Sequence, residues 1–157
     1  LQASTHYPVQ TKEEIVTTIQ NWFAHNAVAP EAHLYLWTVN TFAGGKNQGI
    51  VQALDVCESI GFTPITLIPW IKNNVGSPTP YGMRYTEMCI FAVRYEKGLC
   101  GSKDYILAPR RAHSRKPSEF YSWVEKRSKG PYLDLYSRTS RKGWTDIGNQ
   151  TGTWKAD

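Results

Sequence analysis

Two stretches of this chain gather residue types that could act together on a ligand. In the first, RRAHSRKPSEFY, the cations Arg110, Arg111, Arg115 and Lys116 run directly into Pro117, a residue typical of a first helical position. A lysine and the free backbone donors of a helix start would then face the same space, an arrangement suited to a carboxylate or a phosphate. In the second, YLDLYSR followed by GWTDIGNQ, Asp134 and Arg138 share one segment while Asn149 and Gln150 offer amide donors and acceptors. A carboxylate and amides are what ribose hydroxyls and a purine edge require. Taken singly, each stretch also has a plainer explanation, a basic cap on an ordinary loop in one case and a polar surface turn in the other.

Familiar catalytic signatures are missing from the sequence: it has no GxSxG, HExxH, Walker A or GxGxxG pattern. The four histidines, His6, His25, His33 and His113, are scattered without metal-ligand spacing, and Cys57, Cys89 and Cys100 form no CxxC or Cys/His pair. Neither a metal site nor a disulfide framework is expected. Asp55 and Glu58 share a helix face, which a solvated surface explains without a catalytic dyad.

The chain has 157 residues and a formal charge of +5, enough for a single domain over 1–157 with its own core. The basic excess fits a phosphate-bearing partner, although on charge alone a solvated basic face explains it equally well. No apolar run approaches the length of a membrane span, and the amino end has no signal-peptide pattern. A reducing, cytoplasmic location is expected, nuclear in a eukaryote, with no membrane partner.

Elements that would position these residues follow from periodicity. Thr11 with Glu14 reads as a capping box opening a helix to about Ala27. His33 to Asn40 reads as a buried strand, and Asn47 to Ile60 as a second helix stopped by Gly61. Phe62 to Lys72 is strand-like, with Pro64 and Pro69 favouring an edge or a bulge. Asn73 to Gly82 is a turn-rich loop, Met88 to Tyr95 and Asp104 to Ala108 are expected to pair as a hairpin, a third helix starts at Pro117, and Tyr132 to Arg138 is a further strand before a polar tail. The alternation predicts an α/β fold with a largely parallel sheet and helices on its faces. Ligands then bind at the strands' carboxyl ends, after Asn40, Lys72, Ala108 and Arg138.

In order along the chain, HYP, LYLWTVN, the helix ending in GF, IPWIK, the ExCIF stretch at Glu87, APRRAHSRKPSEFY, GPYLDLYSR and GWxxxGNQ together resemble the N(6)-adenine methyltransferase family typified by the catalytic subunit of the eukaryotic messenger-RNA adenosine methyltransferase and its bacterial and phage relatives. The resemblance implies a Rossmann-like fold dependent on S-adenosylmethionine, with its motifs in permuted order. It implies that Lys116 pairs with the methionine carboxylate of that cofactor, that Arg138, Asn149 and Gln150 contact its ribose and adenine, and that Asp134 lies beside them. It also implies nucleic acid, DNA or RNA, as partner, held by Arg110, Arg111, His113, Arg115 and Lys72, with the 73–82 loop flanking the target nucleotide. A homologous methyltransferase subunit is a possible second partner.

One part of the family pattern is missing. The Asp-Pro-Pro-Trp motif, which in the family precedes HYP and holds the target amine, occurs nowhere in these residues, and position 1 is Leu. Methyl transfer is an in-line displacement governed by positioning and charge. The chain is therefore expected to be part of a longer protein and inactive as it stands, with a central strand missing between the strands that contain Leu36 and Leu135. The alternative is a non-catalytic, nucleic-acid-binding subunit that supports an active partner.

Overall fold

The computed structural model describes residues 10–25, 28–42, 49–95, 103–112, 115–148 and 152. Helix α1 (Lys12–His25) opens on the expected capping box: the Thr11 amide donates to Glu14 Oε2 at 2.7 Å and the Glu14 amide to Thr11 Oγ1 at 3.2 Å. Two otherwise orphaned donors are satisfied reciprocally. Strand β1 (Ala32–Val39) leads to α2 (Ile50–Ser59). Gly61 then adopts φ +85°, and the Phe62 amide donates to the Cys57 carbonyl at 2.9 Å, so the left-handed stop lies where the glycine predicts it.

Strand β2 (Thr63–Ile71) is followed by a hairpin of β3 (Ser77–Thr79) and β4 (Gly82–Arg84), then β5 (Thr86–Arg94) and the short β6 (Ile106–Leu107). Helix α3 (Ser118–Arg127) and the parallel pair β7 (Tyr132–Leu135) and β8 (Trp144–Ile147) complete the described elements. None of the helices is long and apolar enough to cross a membrane, among the described residues.

The main sheet runs β1-β5-β2-β6, with β5 antiparallel to both neighbours and β6 parallel to β2. It is mixed, which corrects the expectation of a largely parallel sheet. The hairpin expected between 88–95 and 104–108 does not form either. Both edges of β5 are taken, by eight register pairs to β1 and eight to β2, leaving β6 a two-pair ladder on β2. Pro64 acts as the sequence suggests, since the β2 register shifts between Pro64 and Thr66, whereas Pro69 keeps a regular pairing with Met88. β8 falls in the stretch whose composition suggests a polar tail; it is a strand because Trp144 packs on Tyr132 and Tyr121 while Ile147 pairs with Leu135.

Strand β5 organises the core by its period of two. Ile90 and Ala92 face a cluster with Ile19, Ala53, Val56, Cys57, Ile60 and Phe62, under α1 and α2. Cys89 and Phe91 face the opposite cluster with Ile68, Trp70, Ile106, Ala108, Phe120 and Val124, under α3. Helices thus cover both faces, as expected of this α/β architecture.

Candidate active site

The antiparallel setting of β5 gives the site its shape. The carboxyl ends of β1 and β2 and the amino end of β5 meet on one rim: Glu87 is the register partner of both Val39 and Trp70. Lys72, the residue after β2, donates from Nζ to Glu87 Oε1 at 2.7 Å. Lys116, just ahead of Pro117 and α3, donates from Nζ to Glu87 Oε2. One carboxylate therefore serves two ammonium groups, and the cluster keeps a net positive charge. Burial pushes the Glu87 carboxyl up, but Lys116 and Lys72 together outweigh it and hold the group below its ordinary value.

Aromatic rings wall this cluster. Lys116 Nζ sits 4.6 Å from the Trp37 ring centroid and Lys72 Nζ 5.1 Å from that of Trp70. The two indoles meet edge to face at 6.1 Å, and Trp70 Nε1 donates to the Ala108 carbonyl at 2.9 Å. That bond fixes where the chain leaves β6 toward Arg110. At the end of β1, Asn40 Nδ2 donates to Thr86 Oγ1 at 2.8 Å, closing the rim on the side of β1.

A second polar cluster lies on the other side of the first turn of α3. Tyr121 donates its hydroxyl to Asp134 Oδ2 at 3.0 Å, and Asp134 is the register partner of Asp146. Burial, with the nearby charge of Asp146, lifts the Asp134 carboxyl above its usual range despite the tyrosine bond. Burial and the Asp134 charge likewise push the Tyr121 hydroxyl up. The Arg141 guanidinium lies 3.7 Å from the Tyr121 ring centroid, its backbone amide donates to Asp146 Oδ2 at 3.1 Å, and its buried Nε has no hydrogen-bond partner among the described residues.

Contacts between aromatic rings connect the clusters. Trp37 packs on Phe120 at 4.8 Å and Phe120 on Tyr121 at 5.4 Å, so Lys116 and Asp134 flank the start of one helix. Arg138 lies half-buried between β7 and β8. Asn149, Gln150 and His113 fall outside the described residues. Their described neighbour Gly148 runs flush against the segment after β7: a Cβ there would stand 2.6 Å from the Ser137 carbonyl oxygen.

Arg110 and Arg111 are half-buried in the stretch after β6, and Arg115 is half-buried ahead of α3. The Arg110 backbone is clipped by one side chain: its amide donates to Asn74 Oδ1 at 2.7 Å and its carbonyl accepts from Asn74 Nδ2 at 3.1 Å. Lys72 is 5% exposed, so the structure places it inside the lysine–glutamate cluster rather than on an open cationic surface.

Sequence reasoning about single stretches passed over Glu87, Trp37, Trp70, Tyr121 and Asp146 as site residues. A usable signal existed for Glu87, a lone carboxylate at the mouth of the apolar run MCIFAV.

The donor set fits a zwitterionic sulfonium nucleoside in kind. A partly exposed ammonium at Lys116 can meet a carboxylate, Asp134 can accept from hydroxyls, and the buried Arg141 Nε, unpaired among the described residues, can donate. A family model described as MT-A70 matches residues 9–150 of the chain. No curated protein sequence matches it.

Proposed function

The chain belongs to the MT-A70 family of N(6)-adenine methyltransferases, and from that membership we propose that it takes part in methyl transfer from S-adenosylmethionine to the exocyclic amine of adenine in nucleic acid. The family carries the coarser statement, a methyltransferase. What supports the finer one is the Lys72–Glu87–Lys116 cluster at the meeting of three strand ends. In such folds that rim is where ligands bind.

In this reading the cofactor supplies an electrophilic methyl group and the chain's own residues supply position. Lys116 holds the carboxylate end, with Glu87 and the Trp37 face fixing where the ammonium stands. Asp134, oriented by Tyr121, receives ribose hydroxyls together with Arg138, Asn149 and Gln150. The 109–112 stretch and Arg115 contact the nucleic acid, a role the family resemblance gives to His113 as well.

We read the fold as the permuted methyltransferase type, with a further strand between β1 and β7. Two observations support this. Among the described residues β1 is paired on one edge only, by β5, and β7 only by β8. Leu36 and Leu135 pack against the same core cluster. A strand bearing Asp-Pro-Pro-Trp between them would satisfy both open edges.

Calorimetric titration with S-adenosylmethionine tests the proposal. The chain should bind, and Lys116→Ala should weaken binding about 10- to 100-fold through loss of a charge-assisted hydrogen bond. Titration without heat at cofactor concentrations in the millimolar range sinks the reading. The absence of Asp-Pro-Pro-Trp from these residues favours a second reading, a nucleic-acid-binding subunit that supports an active partner. It predicts salt-dependent oligonucleotide binding with no cofactor affinity.

A further inference from the structure

Strand β7 sets a carboxylate into an apolar run. Asp134 stands between Leu133 and Leu135, all three half-buried, so its charge needs partners from outside the strand. The ladder adds to that need, because the residue opposite on β8 is a second carboxylate, Asp146. Like charges facing each other across neighbouring strands disfavour joint ionisation.

Asp146 finds its compensation locally. It accepts from the Arg141 backbone amide at 3.1 Å, with the Ser137 hydroxyl at 3.5 Å. Asp134 depends on a different element, accepting from the Tyr121 hydroxyl of α3 at 3.0 Å. That ring has little freedom. The Arg141 guanidinium lies over it at 3.7 Å, while Trp144 meets it edge to face at 5.2 Å and Phe120 at 5.4 Å. The hydroxyl therefore points where packing aims it, and burial, with the Asp134 charge beside it, keeps it protonated past its ordinary value of 10.0.

The groups facing Asp134 pull in opposite directions. Burial and Asp146 oppose its charge, Tyr121, Ser137 and Arg141 favour it, and the carboxyl is left above its ordinary value. Arg138 shares the same connection between β7 and β8. A ligand's hydroxyls that donate to Asp134 favour the ionised form, and they lose this acceptor when the carboxyl takes a proton.

We propose that Tyr121 and Arg141 are positioning residues of the cofactor site, which hold Asp134 as an aimed, charged acceptor, so that one proton on that carboxyl decides whether the ribose end of the cofactor is held. The inference rests on the cofactor reading above and adds its control: affinity is graded by pH through Asp134.

Calorimetric titration with S-adenosylmethionine from about pH 8 down to about pH 4 tests this, with circular dichroism reading the fold at each step. Affinity of the wild type should drop on the acid side, and Asp134→Asn should bind weakly and lose that drop. Tyr121→Phe keeps the ring and removes the donor, so the acid midpoint should move up by about one pH unit or more. Arg141→Met should move it the same way by less, and Arg141→Lys, which keeps the charge, should return it toward the wild type.

A merely structural role for the ring predicts an equal loss at every pH with the midpoint unmoved, and that result overturns the proposal. An acid drop that survives unchanged in Asp134→Asn overturns it as well, as does wild-type affinity that is constant over the range. If Tyr121→Phe loses its fold, the Arg141 pair carries the test, since the side chain lies at the edge of the cluster and is half-exposed. Wild-type protein that takes up no cofactor at any pH sinks the cofactor reading and this inference with it. Binding whose midpoint ignores Tyr121 and Arg141 sinks the inference alone.

Discussion

Glu87 and Lys116 stand 29 residues apart in the chain and share an ion pair at the mouth of the sheet. Lys72 shares the same carboxylate and is only 5% exposed, so its charge depends on Glu87 for compensation. Glu87→Gln keeps the shape and removes that charge. Allowing for the partial exposure of the carboxylate, the variant should lose about 2 kcal/mol of stability, read as a lower urea midpoint at neutral pH. An unchanged midpoint would show that Lys72 finds compensation elsewhere.

Because the Glu87 carboxyl is held below its ordinary value of 4.5 in the folded state, its ion pairs stabilise the fold above that value. That contribution is lost as pH falls through the lowered folded value. Wild-type stability, followed by urea titration from pH 7 downward, should therefore decline on the acid side, and Glu87→Gln should flatten the decline.

Asp134 has the opposite sign. Its carboxyl is raised above 3.8, so ionisation at neutral pH costs the folded state more than the unfolded one. Asp134→Asn should be at least as stable as wild type at pH 7, with the difference shrinking as pH falls from the raised folded value toward 3.8, below which both states carry the proton. The same variant should weaken cofactor binding, since an amide oxygen is a poorer acceptor for hydroxyls than a carboxylate. A variant less stable than wild type at pH 7 contradicts this account.

Ser128 ties β1 to the end of α3. Its Oγ lies 2.6 Å from His33 Nδ1 and 2.7 Å from the Tyr35 hydroxyl, and its carbonyl accepts from the Tyr132 hydroxyl at 2.7 Å. Ser128→Ala strips both side-chain partners in a part-buried setting. A loss of about 1–3 kcal/mol is expected in denaturant melts.

Gly148→Ala meets a different obstacle. The new methyl would stand 2.6 Å from the Ser137 oxygen and 2.9 Å from its nitrogen, and backbone cannot yield as a side-chain tip can. The cost should be about 1–3 kcal/mol, with a change in Trp144 emission as β8 shifts from β7.

Local signals in the sequence were reliable wherever a few adjacent residues decide the structure. The Thr11–Glu14 box, the Gly61 stop, the Pro117 start and the proline-disturbed β2 register are all of this kind. Strand direction was not legible, because it depends on which distant segment claims each edge of β5. The Glu87 cluster was hidden for the same reason: its two lysines lie on either side of it in sequence, and it takes the antiparallel ladder to bring the end of β2 to Glu87 and the packing of α3 to bring Lys116 there. Lys116 and Asp134 flank one helix start, while Asn149, Gln150 and His113 lie outside the described residues.

The central position of β5 has a consequence for how the chain is born. Synthesis proceeds from the amino end, and among the described residues β1 and β2 have no ladder with each other. Until Arg94 has emerged from the ribosome, the first half of the chain can form α1 and α2 but cannot close the sheet. Nascent chains halted before Thr86 should be cut readily by protease, and chains released past Arg127, with α3 in place over the second core cluster, should resist it.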